Sequence, residues 1–183
     1  MIGGRLSLAH RYAQAVWRMS GESFVVADFW TIRSAILFLK RRSAILSYLS
    51  LGNFAERQRI NQLFVKHLGL KDPILDLLLL LQTHKRVALL PDILASLCDL
   101  LLSKNQKQFF IFESYPQLKE AQAEYLAKEL QHLTGVEILY ESYEKPSLIA
   151  GLRLQSRSCL YDNSISVRLR RCYQKLLGSK REY

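Results

Sequence analysis

Residues 109–116 read FFIFESYP, and at this stretch the pattern of the chain changes. The run is aromatic and β-branched and ends at a proline, which predicts a β-strand. The following segment, QLKEAQAEYLAKELQHLTG (117–135), predicts a charged amphipathic helix that ends at a glycine. The next segment, VEILYESYEKP (136–146), predicts a second strand. A strand, a helix and a strand in succession indicate an α/β arrangement.

The same alternation continues to the end of the chain. LIAGLRLQSRSCLYD (148–162) predicts two short strands that meet at a polar turn. Ser164 then predicts the cap of a last helix that runs to about Leu177. We therefore expect a small α/β domain over residues 107–183.

Before residue 107 the spacing of apolar residues is helical throughout, with no long strand candidate. Gly21 and Gly69 predict helix ends, and Asp72-Pro73 predicts a helix start with Asp72 as the cap. Six short helices with brief connections favour an N-terminal six-helix bundle over residues 1–106, and a mainly α fold for the whole chain. The predicted helices cover residues 6–20, 23–40, 43–51, 54–68, 71–86 and a last segment introduced by Pro91.

Two of these helices have more apolar surface than packing on one side requires. The first carries an alanine stripe (Ala9, Ala13, Val16) and, beside it, a tyrosine stripe (Leu8, Tyr12, Ala15, Met19). The fifth contains five consecutive leucines, 77–81, which go right round a helix at 100° per residue. Such helices either pack centrally in a bundle or line a groove for a partner helix. The residue pattern leaves both interpretations open.

Composition limits the class of protein. The chain has 183 residues, 49% of them apolar, and a formal net charge of +10, so we expect a folded protein that attracts acidic partners, nucleic acid or anionic lipid. No apolar run is long enough to span a membrane, and the start of the chain lacks the pattern of a secretory signal. The charge leaves a basic nucleic-acid-binding protein as the alternative function, although no recognition-helix or RNA-binding motif occurs.

Candidate catalytic and metal sites are lacking in the sequence. Glycine-rich phosphate loops and a G-x-S-x-G nucleophile motif do not occur, and the histidines are scattered, so an enzyme is only a third interpretation. Cys98, Cys159 and Cys172 are far apart and have no ligand spacing. We expect them to be reduced and structural, because free cysteine is among the most buried residue types. We expect no metal and no cofactor.

Three segments resemble one known family in order and spacing. PSLIAGLRLQSRSCLYDNSISVRLRR (146–171) resembles the C-terminal signature of the delta subunit of F-type ATP synthase, the oligomycin-sensitivity-conferring protein of mitochondria. AHRYAQAVW (9–17) is similar to the N-terminal motif of that family, and LLLLLQTHKRVALLPDIL (77–94) to its leucine-rich helix and the Leu-Pro segment after it. Asn163 stands where the family usually has glycine, and asparagine also tolerates the left-handed backbone of a tight turn.

The resemblance implies a non-catalytic stator subunit. By that resemblance, residues 1–106 grip the N-terminal helix of the ATP synthase alpha subunit in a groove. Residues 107–183 would hold the C-terminus of the peripheral stalk b subunit. The protein would be present once per complex and lie at the cytoplasmic face of a bacterial plasma membrane, peripheral to it through the complex, with no role in nucleic-acid binding.

Specific residues follow from the same resemblance. The groove positions it implies are Tyr12, Ala15, Leu77 and Leu80. The C-terminal signature comprises Gly151, Asp162, Ser164, Arg168 and Arg171. We expect Asp162 and Ser164 to fasten the corner between a strand and a helix. The two arginines either brace the C-terminal domain or meet an acidic stalk helix.

Overall fold

A computed structural model of the chain describes residues 2–20, 23–49 and 53–178. The chain divides into two compact units, Met1–Asn105 and Gln106–Tyr183. In the described part of the chain, no helix combines the length and apolar character that crossing a bilayer requires.

The first unit is helical, and the helices expected from the sequence are confirmed with slightly different bounds. The predicted end of the first helix at Gly21, and the last residues of the third, lie outside the described residues. The helices are α1 (Ile2–Ser20), α2 (Asp28–Arg41), α3 (Ala44–Tyr48), α4 (Phe54–His67), α5 (Asp72–Thr83) and α6 (Leu90–Lys104).

Two predicted helix starts differ from the structure, that of α2 by five residues and the cap of α5 by one. Helix α2 begins at Asp28 and not at residue 23, because the Asp28 carboxylate accepts a hydrogen bond from the Val25 backbone N–H at 2.7 Å and closes a turn there. The cap of α5 is Lys71, whose backbone is extended, and not Asp72. Asp72 instead lies in the first turn, where a negative charge complements the helix dipole.

The core of the first unit is centred on α6, which packs against both α1 and α2. Five of its side chains are fully buried: Leu90, Ile93, Leu94, Leu97 and Leu101. Helix α5 packs against α4 and α1. The turn between α4 and α5 ends at Gly69, which has φ +63°, and the Leu70 N–H then bonds to the Val65 carbonyl at 2.9 Å. The predicted helix end at Gly69 is therefore confirmed.

The second unit has a four-stranded sheet in the order β2-β1-β3-β4. Strands β1 and β2 are parallel, as a crossover through a helix allows, whereas β3 is antiparallel to β1 and β4 to β3. The elements are β1 (Lys107–Tyr115), α7 (Glu120–Thr134), β2 (Glu137–Glu144), β3 (Gly151–Gln155), β4 (Leu160–Asp162) and α8 (Ile165–Gly178).

Alternate side chains of the sheet and the alanine face of α7 form the core of this unit. Phe112 is fully buried and its ring stacks on that of Tyr140 at a centroid distance of 5.0 Å. Small residues at Ala123 and Ala127 let α7 approach the sheet closely. The expectation of a mainly helical chain with a small α/β second part is confirmed.

Candidate functional site

The two stripes of α1 have different environments. The alanine stripe is buried in the core of the first unit. The tyrosine stripe is open: Tyr12 is half-buried, Ala15 is exposed and Met19 is 82% exposed. An exposed methionine and an adjoining alanine make an apolar strip with room for a neighbouring backbone.

The leucines of α5 are likewise divided between the core and the surface. Leu78 and Leu81 are fully buried, Leu77 is 3% exposed and Leu80 is 45% exposed. Of the two leucines that the resemblance assigns to a groove, Leu80 therefore lies on the surface and Leu77, one turn earlier on α5, lies in the core. Leu77 offers almost no exposed area to a partner.

A polar contact that the sequence did not suggest joins the two helices. Helix α1 packs against α5, and Arg86, just after α5, donates a hydrogen bond from Nη1 to the Tyr12 hydroxyl at 3.2 Å. The two residues are 74 positions apart, so only the packing of the helices brings them together. Tyr12 is thus held at the edge of the open stripe, with a guanidinium beside it.

The C-terminal signature forms a tight corner. Gly151 has φ +105°, and a Cβ at this position would lie 2.7 Å from the Asn163 carbonyl oxygen and 3.1 Å from the Ser164 Cα. The Ala150 carbonyl also accepts a hydrogen bond from the Ile165 N–H at 2.9 Å. The start of β3 is therefore pressed against the start of α8, and only glycine fits there.

Asp162 and Ser164 hold this corner from the inside. Ser164 is fully buried, its hydroxyl donates to Asp162 Oδ1 at 2.6 Å and its N–H donates to the same oxygen at 3.0 Å. The Ser164 hydroxyl also accepts a long bond of 3.4 Å from the Val167 N–H, in the position of a helix cap. This geometry supports a structural role for both residues.

Asn163 does not take the left-handed conformation that its position suggested. The positive φ values of this region belong to Ile149, at 67°, and to Gly151. The Asn163 N–H bonds to the Leu152 carbonyl at 3.0 Å, which continues the strand pairing up to the corner. The positive φ that was considered for Asn163 therefore occurs at Ile149 and Gly151.

An ion network that sequence reasoning missed lies across the sheet behind the corner. Arg153 donates from Nε to Asp162 Oδ2 at 2.6 Å and lies 3.3 Å from Glu113, which also pairs with Lys145 at 2.6 Å. Burial raises the pKa of the Asp162 carboxyl, but the hydrogen bonds from Ser164 and Arg153 lower it more, so its pKa lies below the usual value. The signal that would have found the network is strand register, because Glu113 pairs with Arg153 and Arg153 with Asp162.

Helix α8 leaves the corner with almost all of its surface open. Every residue from Arg168 to Leu176 is exposed, and Arg168 and Arg171 form no ion pair within the described residues. The exposed apolar residues follow helical spacing and form one strip, here called the α8 strip: Ile165, Leu169, Tyr173 and Leu176. The helix has no acidic residue, so the strip is flanked by positive charge only.

The remaining candidates for chemistry are metal-binding clusters and the three cysteines. The described residues contain no group of three or more His, Cys, Asp or Glu side chains arranged to hold a metal ion. Cys98 is buried, and burial together with the nearby Asp99 raises the pKa of its thiol to about 12. Cys159 and Cys172 are exposed, so the burial on which the expected structural role relied is found at Cys98 but not at these two.

Comparison with known proteins identifies the family of this chain. The family model described as ATP synthase delta (OSCP) subunit matches residues 8–176. The ATP synthase subunit delta of Neisseria meningitidis serogroup A is 26% identical over 174 residues, covering 91% of this chain and 94% of that protein. That of Alkalihalophilus pseudofirmus is 22% identical over 180 residues, covering 96% and 98%.

A solved structure shares the fold. A chain in the cryo-EM structure of the Toxoplasma gondii mitochondrial ATP synthase hexamer superimposes with a TM-score of 0.68 at 17% identity, covering 93% of this chain and 97% of that one. The resemblance found in the three sequence segments is thus confirmed. The chain belongs to the ATP synthase delta (OSCP) subunit family, a non-catalytic structural stator component of F-type ATP synthase.

Proposed function

We propose that this protein links the catalytic head of ATP synthase to the peripheral stalk during proton-driven ATP synthesis. Its first unit holds the N-terminal helix of the alpha subunit, and its second unit holds the C-terminus of the b subunit. One copy serves each complex at the cytoplasmic face of a bacterial plasma membrane, to which it is peripheral through the complex. Its task is mechanical, because it must stay bound while rotation exerts torque on the head.

The observation that carries the first half of the proposal is the open tyrosine stripe of α1. In a helix that packs on one face only, this stripe would be polar. Here Met19 is 82% exposed and lies one turn from the small Ala15. Leu80 adds exposed apolar area on the neighbouring α5. In this proposal α1 to α6 form one six-helix bundle. Tyr12, Ala15 and Leu80 line a groove on it, and the buried Leu77 packs behind that groove. An amphipathic helix is the occupant that such a groove fits.

The second half of the proposal rests on α8. A helix with an apolar strip and only positive charges at its flanks suits an amphipathic partner helix that carries acidic residues. Arg168 and Arg171 are exposed and therefore available for such a partner, which favours the stalk over an internal bracing role. Gly151, Asp162 and Ser164 have a different part: they hold the base of α8 at a fixed angle.

The test of the first contact is calorimetric titration of the full chain with a peptide copied from the N-terminus of the alpha subunit. We predict that Ala15→Asp weakens this binding by two or more orders of magnitude. Binding would bury the carboxylate without a partner, at a cost of several kcal/mol, and about 1.4 kcal/mol corresponds to tenfold in affinity. The melting temperature of the free protein should change little, because Ala15 is exposed there.

Ala121→Asp is the matched control. Ala121 is also an exposed helical alanine, but it lies on α7 in the second unit, so the same charge change should leave peptide affinity unaltered. Unchanged affinity of Ala15→Asp would remove the tyrosine stripe from the interface. Retention of the protein on non-specific DNA, without affinity for the peptide, would instead favour a nucleic-acid-binding function.

A further inference from the structure

The hydrophobic pattern of α5 does not by itself decide which of its leucines face outward. Asp76 and Thr83 keep one side of the helix outward, but Leu79 and Leu80 flank that side, so a partial roll of about 50° about the helix axis exchanges one leucine for the other at little hydrophobic cost. Nevertheless the structure buries Leu78 and Leu81 completely and exposes Leu80. Since the polar residues do not choose between the two flanking leucines, an interaction other than leucine packing can select this rotation.

The polar contact that can select it is a buried pair of amides. Asn61 on α4 donates from Nδ2 to Gln82 Oε1 at 3.0 Å, and Gln82 Nε2 donates back to Asn61 Oδ1 at 2.8 Å. The second N–H of Gln82 bonds to the Leu49 carbonyl at the end of α3. Asn61 is fully buried and Gln82 is 7% exposed. We call Asn61 and Gln82 the amide clamp.

The clamp is sensitive to direction in a way that leucine packing is not. Rolling α5 would break its hydrogen bonds and leave buried amide groups unpaired, and an unpaired buried polar group costs more than a made hydrogen bond contributes. Single buried polar residues are known to select one packing register among several that are equally apolar. Gln82 is two positions from Leu80, so its direction sets the direction of Leu80 on the same helix.

We infer that the amide clamp fixes the rotation of α5 and thereby presents Leu80, and not another leucine, to the helix that binds the first unit. Asn61 and Gln82 are positioning residues: they lie in the core and act through Leu80. The rotational part of this inference concerns the isolated protein. Its consequence for binding rests on the proposed function.

The test variant is Asn61→Leu/Gln82→Leu, which replaces both amides by apolar side chains of similar size. The matched control is the exchange Asn61→Gln/Gln82→Asn, which keeps an amide pair and the total number of atoms. Gln82→Met, which keeps the length of one side chain but removes its hydrogen bonds, replaces the double variant if the latter does not fold.

The first measurement reads rotation directly through thiol labelling. Cysteine is placed at position 80 or 78 by Leu80→Cys or Leu78→Cys, in a background with Cys159→Ser and Cys172→Ser. Cys98 stays, because it is buried and its thiol has a pKa of about 12. With the clamp intact, position 80 should be labelled about a hundredfold or more faster than position 78, since buried positions react only on opening. Without the clamp, the ratio should fall to about tenfold or less, and the exchange control should keep it.

The second measurement is titration with the peptide from the N-terminus of the alpha subunit. The variant without the clamp should bind about tenfold more weakly, the order expected when a residue acts on a site it does not touch, whereas the exchange control should bind like the wild type. A folded variant with an unchanged labelling ratio would overturn the inference. If the wild type itself binds no peptide, the proposed function fails, while the labelling ratio still decides whether the clamp fixes α5.

Discussion

Gly151 shows how closely the backbone passes itself at the base of α8. Its φ of +105° and the 2.7 Å separation between a built Cβ and the Asn163 carbonyl oxygen are two separate reasons for glycine. Gly135, which ends α7, also has a positive φ of 70°, but nothing lies within 4 Å of a Cβ there. Comparing substitutions at the two positions therefore separates the effect of backbone strain from that of steric conflict.

We predict that Gly151→Ala destabilises the protein more than Gly135→Ala. The left-handed backbone alone should cost about 1–2 kcal/mol at Gly135, and the forced shift of backbone atoms should add about 1–3 kcal/mol at Gly151. Urea unfolding of both variants measures the difference. Equal losses of stability would mean that β3 can move away from the corner freely.

The buried hydroxyl of Ser164 is the second determinant of the corner. We predict that Ser164→Ala lowers stability by about 1 kcal/mol, because the cap of α8 is lost and the Asp162 carboxylate loses a hydrogen bond of 2.6 Å. Thermal and urea unfolding check this value, and Ser158→Ala, at an exposed position, is the control. Unchanged stability of Ser164→Ala would argue against the structural role of this segment.

At the scale of whole elements, α1, α5 and α8 share one property: each has apolar residues that the described parts of the chain do not cover. In α1 and α5 the open residues adjoin a buried face, so both helices contribute to the core and still keep an outer apolar strip. Helix α8 is different, since it is attached at its N-terminal end and exposed along the rest of its described length. Leu169 and Tyr173, in the middle of its apolar side, are therefore open to solvent.

We predict that Leu169→Asp weakens binding of a peptide copied from the C-terminus of the b subunit at least tenfold, because it places a charge in the middle of the α8 strip and opposes an acidic partner. The stability of the free protein should change little, since Leu169 is already 55% exposed. Leu133→Asp is the control, because Leu133 is also an exposed helical leucine, 79% exposed, but lies on α7. Equal binding by the two variants would remove the α8 strip from the stalk contact.

At the scale of the whole molecule, the chain separates between Asn105 and Gln106. We predict that a fragment of residues 1–105 folds alone, because α6 packs against α1 and α2 and buries most of its apolar side chains there. Circular dichroism should show high helix content and a cooperative thermal transition. A broad, non-cooperative transition would indicate that the first unit needs the second one in order to fold.

Most of the element order could be predicted from local sequence. Helix and strand periods, the stop at Gly69 and the change of pattern after residue 106 depend on sterics and hydrogen bonds within a few residues, so they can be read along the chain. The errors lie at helix starts, where one side chain such as Asp28 changes the local turn. The groove positions stay a prediction: of the two leucines assigned to the groove, Leu80 is exposed and Leu77 is buried.

What could not be read along the chain depends on residues that are far apart in sequence. Asn61 and Gln82 are 21 positions apart, Glu113 and Arg153 are 40, and Tyr12 and Arg86 are 74. The two stripes of α1 are both apolar, and the leucines that flank the polar side of α5 are chemically identical, so local pattern does not decide which of them is buried. That choice is made when helices and strands pack, because only then do buried polar groups have to find their hydrogen-bond partners.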